Sequence, residues 1–316
     1  MIKSIIKLAC VWVVLITVPA CGNLETGDCN YITGYYQTIY QAQLAYELEE
    51  FEKAYNLYKT AFSACNPIST PTYNEIGKYA EVAARLGHND VALSYITKKI
   101  RMGSELKWIL QDSVFADVFK TEEGEKLIDQ YKRIREEYVN SINIELRVDV
   151  QEMSHLDQLY RDSDDPSKVA KQDSIDSLNT KRLIEIFETY GYPNQGVLGH
   201  NSIDGIPTMV STMLLHTEDS IRMNYFVPKM NEFVANGTCD PTVLGSMIDQ
   251  FHLYNGDPQI YGTYRGRTSR YANMISNRGL INENRKEIGL PPLELAEKID
   301  SLKKIKYPDL FPTYDN

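Results

Sequence analysis

The chain has 316 residues, 43% hydrophobic and 24% charged, with a formal net charge of −10. That composition leaves room for two globular domains and excludes a disordered or fibrous chain. The acidic balance argues against nucleic acid as a partner, because phosphate binding draws on clustered Lys and Arg.

The chain opens on an address rather than a fold element. Lys3 and Lys7 precede an apolar run from Leu8 to Val18, the pattern of a signal peptide over residues 1–20. A membrane span needs about 20 apolar residues, and this run is shorter. Val18-Pro19-Ala20-Cys21 resembles a bacterial lipobox, with Pro19 as a departure. The resemblance implies cleavage after Ala20 and lipidation of Cys21, which anchors the product to an inner or outer membrane surface without spanning it. The plainer alternative is a cut that leaves Cys21 a simple thiol. Residues 21–34 then form a tether, and loss of Lys3 and Lys7 takes the charge from −10 to −12.

Residues 35–140 carry an internal repeat. Residues 35–65 align with 73–103 at an offset of 38, pairing Ala42 with Ala80, Ala45 with Ala83, Ala54 with Ala92 and Tyr58 with Ile96. Small residues at fixed places let paired helices approach closely. Asn89 and Lys99 depart, standing where the first unit has Phe51 and Ala61. The runs from Glu49 to Phe62 and from Leu86 to Ile96 resemble tetratricopeptide repeats, which implies helical hairpins with a concave groove for a peptide or protein. The offset exceeds that family's repeat length, so a longer connection is expected over Asn66–Thr72. A third unit over Trp108–Tyr138 has lost the small-residue signature. Such repeats usually need three units to stand alone, so this segment is expected to dock on the C-terminal half.

Cys29 and Cys65 bracket the first expected hairpin, whose turn lies near Glu49-Glu50, and so fall at one end of it. In an oxidising compartment they form a disulfide, or they remain a tether thiol and a helix-end thiol that never meet. None of the five cysteines has the paired spacing of a zinc site, and no metal or cofactor is expected.

Residues 141–316 read as a second, mostly helical domain, making the whole chain mainly α. A helix from Ser141 to Asp162 places Ile142, Leu146, Val150, Met153 and Tyr160 on one stripe, with Asp157 in its middle and Arg161 one turn on as its partner. His216 falls in an apolar helix over Pro207–Thr217, and Asp249 in a helix over Pro241–Tyr254, pointing away from that helix's core face and within reach of His252. The segment from Pro258 to Lys286 is basic in an otherwise acidic chain, with Arg265, Arg267, Arg270, Arg278, Arg285 and Lys286 against Glu283 alone.

Asp157-Gln158-Leu159-Tyr160-Arg161, Gly191-Tyr192-Pro193, Leu215-His216, Ile248-Asp249-Gln250, Gln259-Ile260-Tyr261-Gly262-Thr263 and Gly289-Leu290-Pro291-Pro292-Leu293 occur in the order of a bacterial domain-of-unknown-function family. The resemblance implies a mainly helical domain without an assigned activity. Leu215, Gln250 and Tyr264 depart from the pattern, where the family has Gln, Arg and Gln.

Two functions follow. The first is a binding or scaffolding role at the cell envelope. The second is a hydrolase or transferase acting on a small anionic substrate, with His216 as base, Asp157 or Asp249 orienting it, Tyr261 beside them, and Arg161, Arg265, Arg267 and Arg285 as anion-binding candidates. The enzyme needs His216, Asp157, Asp249 and Tyr261 in one pocket, and the binder needs an open face on the repeats.

Overall fold

The small residues that define the repeat are buried against one another, and the rest of the architecture builds outward from them. The computed structural model describes residues 29–68, 70, 73–264 and 273–308. Cys21, Arg265, Arg267 and Arg270 lie outside the described residues. After a π-helical turn at Tyr31–Tyr35, α1 (Tyr36–Glu47) and α2 (Phe51–Ala64) form the first hairpin, and α3 (Glu75–Arg85) and α4 (Asn89–Arg101) the second. Ala42, Ala45, Ala54, Ala80, Ala83 and Ala92 are all buried at their helix contacts.

Short helices α5 (Leu106–Leu110) and α6 (Ala116–Phe119) lead into α7 (Glu122–Ser141). This third unit packs through Leu127 and Ile134 instead of alanines, and joins the second hairpin in a cluster with Ile96, Ile100 and Phe119. Gly124 substitutes for the missing small-residue signature, since a Cβ there would come within 2.4 Å of the Val118 carbonyl oxygen.

The helix expected over Ser141–Asp162 forms, trimmed at both ends. α7 runs through Ser141, and α8 (Ile144–Gln158) starts afresh because the Asn143 side chain accepts from the Leu146 N–H at 2.9 Å and caps it. Asp165 then caps α9 (Pro166–Tyr190), with Pro166 in its first turn. The turns α10 (Gln195–Leu198), α11 (Val210–Leu215) and α12 (Asp219–Ile221) precede α13 (Val227–Ala235), α14 (Pro241–Tyr254), α15 (Arg278–Glu287) and α16 (Leu293–Lys306). The fold is mainly α. Among the described residues the only β feature is an isolated bridge between Gln259 and Met274. No helix among them is long and apolar enough to cross a membrane.

One hydrophobic cluster crosses residue 140, running from Tyr31 to Leu290. Tyr40 donates to the Gly289 carbonyl at 2.6 Å, Tyr36 lies 3.2 Å from the Val234 and Cys239 carbonyls, and Gln37 donates to the Leu290 carbonyl. Of α1 only Gln41 is exposed, and of α3 only Arg85. The expected open groove on the repeats is therefore absent here: the C-terminal half and the neighbouring helices cover α1 and α3. The first hairpin is packed on the C-terminal half.

Cys29 and Cys65 are joined, with their Cα atoms 5.1 Å apart. The bond ties the start of the described chain to the end of α2. Reduction, or a Cys65→Ala substitution, is expected to lower unfolding free energy by about 2–4 kcal/mol, since it frees a loop of intermediate length in the unfolded chain. Denaturant titration with and without reductant checks this.

Candidate functional site

The residues singled out in the sequence fall into separate groups. In the first, the Asp157 side chain is buried at the end of α8. His216 Nδ1 lies 2.9 Å from both of its oxygens, Gln158 donates at 2.6 Å and Arg161 at 2.9 Å. Arg161 also grips Asp176 of α9, at 2.7 Å through Nη1 and by a second bond through Nη2. Gln172 links the two helices, donating to the Asp157 carbonyl at 2.9 Å and to Asp176 at 3.0 Å. Burial raises the Asp157 pKa, but His216, Gln158 and Arg161 outweigh it and hold the carboxylate below its usual range. Nδ1 is given to Asp157, which leaves Nε2 free of that carboxylate, and about a quarter of the side chain is exposed. That is the geometry of an oriented general base.

Two corrections concern the partners expected for it. Asp249 is completely buried rather than solvated. Its carboxylate accepts from the N–H groups of Ile260, Tyr261 and Thr263 at 2.7–2.9 Å and from the Thr263 hydroxyl at 2.6 Å. It holds a loop and is not hydrogen-bonded to His216 or His252. Tyr261 belongs to the same loop: it gives its N–H to Asp249, its side chain is buried, and burial, with the charges of Asp249 and Glu287, pushes its phenol up to about 12. The four-residue catalytic pocket does not form, because a backbone cradle has captured Asp249.

Arg285 is likewise no anion clamp. It is buried and donates to the carbonyls of Pro291 and Tyr261 at 2.5 and 2.6 Å. Arg161 is held by two carboxylates, so its charge is already matched. His216 lies just beyond α11, which is shorter than the helix expected over Pro207–Thr217. The Met209 N–H goes to the Ser154 hydroxyl instead of a helical carbonyl.

Sequence reasoning passed over Arg222. It donates to Gln250 at 2.7 Å and to the Thr217 carbonyl at 2.6 Å, and pairs with Asp219 at 3.0 Å. Gln250 in turn donates to the Tyr264 hydroxyl at 3.3 Å. Thus two of the three positions that depart from the resembled pattern touch each other. Nothing in the periodicity around Arg222 distinguishes it from a surface residue.

Besides a cavity of about 520 Å³ between α8 and α9, lined by residues such as Leu156, Tyr160 and Ile175, three cavities lie along the seam between the repeats and the C-terminal half. One, of about 570 Å³, has Pro67, Thr70 and Met102 on one wall and Tyr192, Asn194 and Val243 on the other. A basin of about 360 Å³ sharing Thr70, Met102 and Gln195 adds Lys99, Ser104 and His200. A third, of about 410 Å³, extends past Lys99 and His200 to Glu105, Trp108 and Asp112. The seam is latched by Arg135, which donates to the Gly103 carbonyl at 2.8 Å and to the Ser202 carbonyl and hydroxyl at 3.0 Å. On the repeat side Glu75 accepts from the Thr70 N–H at 2.6 Å, and burial pushes its pKa up to about 8 despite that bond.

Among the described residues no group of three or more His, Cys, Asp or Glu side chains is arranged to hold a metal ion. No protein-family model, curated protein or solved structure matches the chain.

Proposed function

We propose that this is an exported protein, lipid-anchored at the cell envelope through Cys21, that binds a ligand in the seam between its helical repeats and its C-terminal half. One observation carries the binding part: the largest cavity described draws its walls from both halves, while the inward helices of the repeats are already covered. Ligand sites favour such junctions, where apolar walls carry a few convergent polar groups. The leader and the lipobox-like Val18–Cys21 support the address.

A second reading keeps acid–base chemistry at His216, favoured by the Asp157 pair that orients it. It lacks the other two members of the expected pocket.

Two experiments test the proposal. Metabolic labelling with palmitate is expected to mark the native chain and not Cys21→Ser; equal labelling contradicts the anchor. Thermal melting of the full chain in detergent against amino acids, short peptides, sugars and nucleotides tests the seam. Stabilisation by a ligand is expected to vanish in Val243→Trp, which fills the larger cavity. Stabilisation that survives Val243→Trp but is lost in His216→Ala contradicts the seam and favours the second reading.

A further inference from the structure

Lys99 stands where the repeat pattern calls for a small residue, since its counterpart Ala61 is buried in the first hairpin. At the matching place in α4, the longer side chain reaches the seam, where it lines two adjoining basins. No described carboxylate lies within ion-pair distance of its ammonium, although the chain is acidic. The neighbouring cation, Arg135, is spent on carbonyls and a hydroxyl.

The floor beneath Lys99 is made by a missing side chain. A Cβ on Gly77 would stand 2.7 Å from Lys99 Nζ and 2.6 Å from both ends of the Asn74 amide. Ammonium and amide therefore sit together over bare backbone. The opposite wall carries His200, whose Nδ1 accepts from the Ser202 N–H at 3.0 Å, which leaves Nε2 protonated as a donor. Burial, with the charges of Arg135, Lys99 and Arg147, lowers the His200 pKa and keeps that tautomer neutral. Ser104 and Gln195 complete the smaller basin, which has no carboxylate in its lining.

We infer that the Lys99 end of the seam binds the carboxylate of a small organic acid or of a peptide C-terminus, with Lys99 as its counterion and His200, Ser104 and Asn74 as neutral donors. A single ammonium among neutral donors matches a monoanion. A phosphate dianion would need more positive charge, and Glu105 and Asp112 in the adjoining basin oppose it. Burial lowers the Lys99 pKa and Lys78 adds to the shift, against the opposing charges of Glu81 and Asp112.

This inference rests on the proposed seam site, and the test separates the two. The chain has five histidines, so isotope-labelled histidine in the detergent-solubilised full chain gives a simple spectrum, with His200 assigned by substitution. The probes are N-acetyl-alanyl-alanine, its C-terminal amide, butyrate and inorganic phosphate. We expect a saturable His200 shift with a carboxylate probe and none with the amide. A response to the peptide alone identifies a peptide terminus as the source, and a response to butyrate as well identifies a free acid. Lys99→Met is expected to weaken binding about tenfold or more, while Lys99→Arg restores most of it. Gly77→Ala, which puts a methyl into the floor, is expected to weaken it too, and melting curves verify that the variants fold. Equal response to the amide, tighter binding of phosphate, unchanged affinity in folded Lys99→Met, or no saturable shift overturns the inference. If Lys99→Met has no effect but Val243→Trp still abolishes ligand stabilisation, only the carboxylate assignment fails. If neither matters, the seam fails with it.

Discussion

Replacing Arg147 with Met is expected to lower unfolding free energy by about 3–4 kcal/mol, close to the most a single side chain contributes. Arg147 is buried in α8 at 1% exposure. Its guanidinium donates to Asp204 at 2.7 and 2.9 Å, to the carbonyls of Leu198 and Gly199 at 3.0 and 3.2 Å, and to the Ile206 carbonyl at 2.7 Å. Methionine fills similar volume but leaves those buried acceptors without a donor. The loop it gathers, residues 198–206, presents His200 and Asn201 to the seam, so ligand binding should weaken together with stability.

The same pair predicts a pH dependence. The Arg147 guanidinium holds the Asp204 carboxyl well below the usual carboxylate range. A depressed folded pKa stabilises the fold fully above the unfolded value of about 3.9, and that stabilisation is lost as pH falls through the lower folded value. Asp204 is a third exposed, so solvent screens part of the effect. The native chain should therefore lose stability on acidification below about pH 4 more steeply than Arg147→Met does. Urea titrations of both chains between neutral pH and pH 3 measure the difference.

The second large effect is expected at Asp249. Asp249→Ala should cost about 3–5 kcal/mol, because three backbone N–H groups and the Thr263 hydroxyl lose one buried acceptor. Asn in the same place keeps one oxygen but turns an amide NH₂ toward N–H donors, so it should recover only part of the loss. Gly262 belongs to this cradle and has φ of 65°, a left-handed conformation that favours glycine. Chemical denaturation of the two Asp249 variants tests the role. Native stability in Asp249→Ala would contradict a structural carboxylate.

The parts of the fold that were legible in the sequence are those with local signals. The alanine pairs gave the hairpins because helices that pack closely need small residues at their crossing. The helix Pro241–Tyr254 was legible to the residue, since Asp240 caps it and Pro241 occupies its first turn. The same kind of signal was read only halfway at Ser163-Asp164-Asp165-Pro166. It follows the end of the helix expected to close at Asp162, and Asp165 and Pro166 also start the longest helix described, α9. Missing that helix hid Asp176 and Gln172, and with them the reason Arg161 has no charge to spare.

The Asp157–Arg161 contact was legible because residues four apart on a helix meet. His216 could be linked to Asp157 or Asp249 equally well, because helical periodicity places a side chain on a face and does not say what covers that face. Asp249 sits on what looks like the outer side of its helix, but residues 259–263 fold back over it with their N–H groups. Backbone donors leave no trace in side-chain composition. Docking of the repeats on the C-terminal half was legible from their number, but the cavities of the seam were not, because distant segments line them. Lys99 stood out only as a departure from the repeat pattern.

The measurement that tests this account most directly is hydrogen exchange of the full chain with and without saturating N-acetyl-alanyl-alanine. The seam site predicts added protection in the segments around Asn74–Gly77, Lys99–Ser104 and Tyr192–Ser202, with little change around Asp157–Arg161 and Leu214–Arg222. Protection confined to the Asp157 and His216 segments, with the seam unchanged, would contradict it.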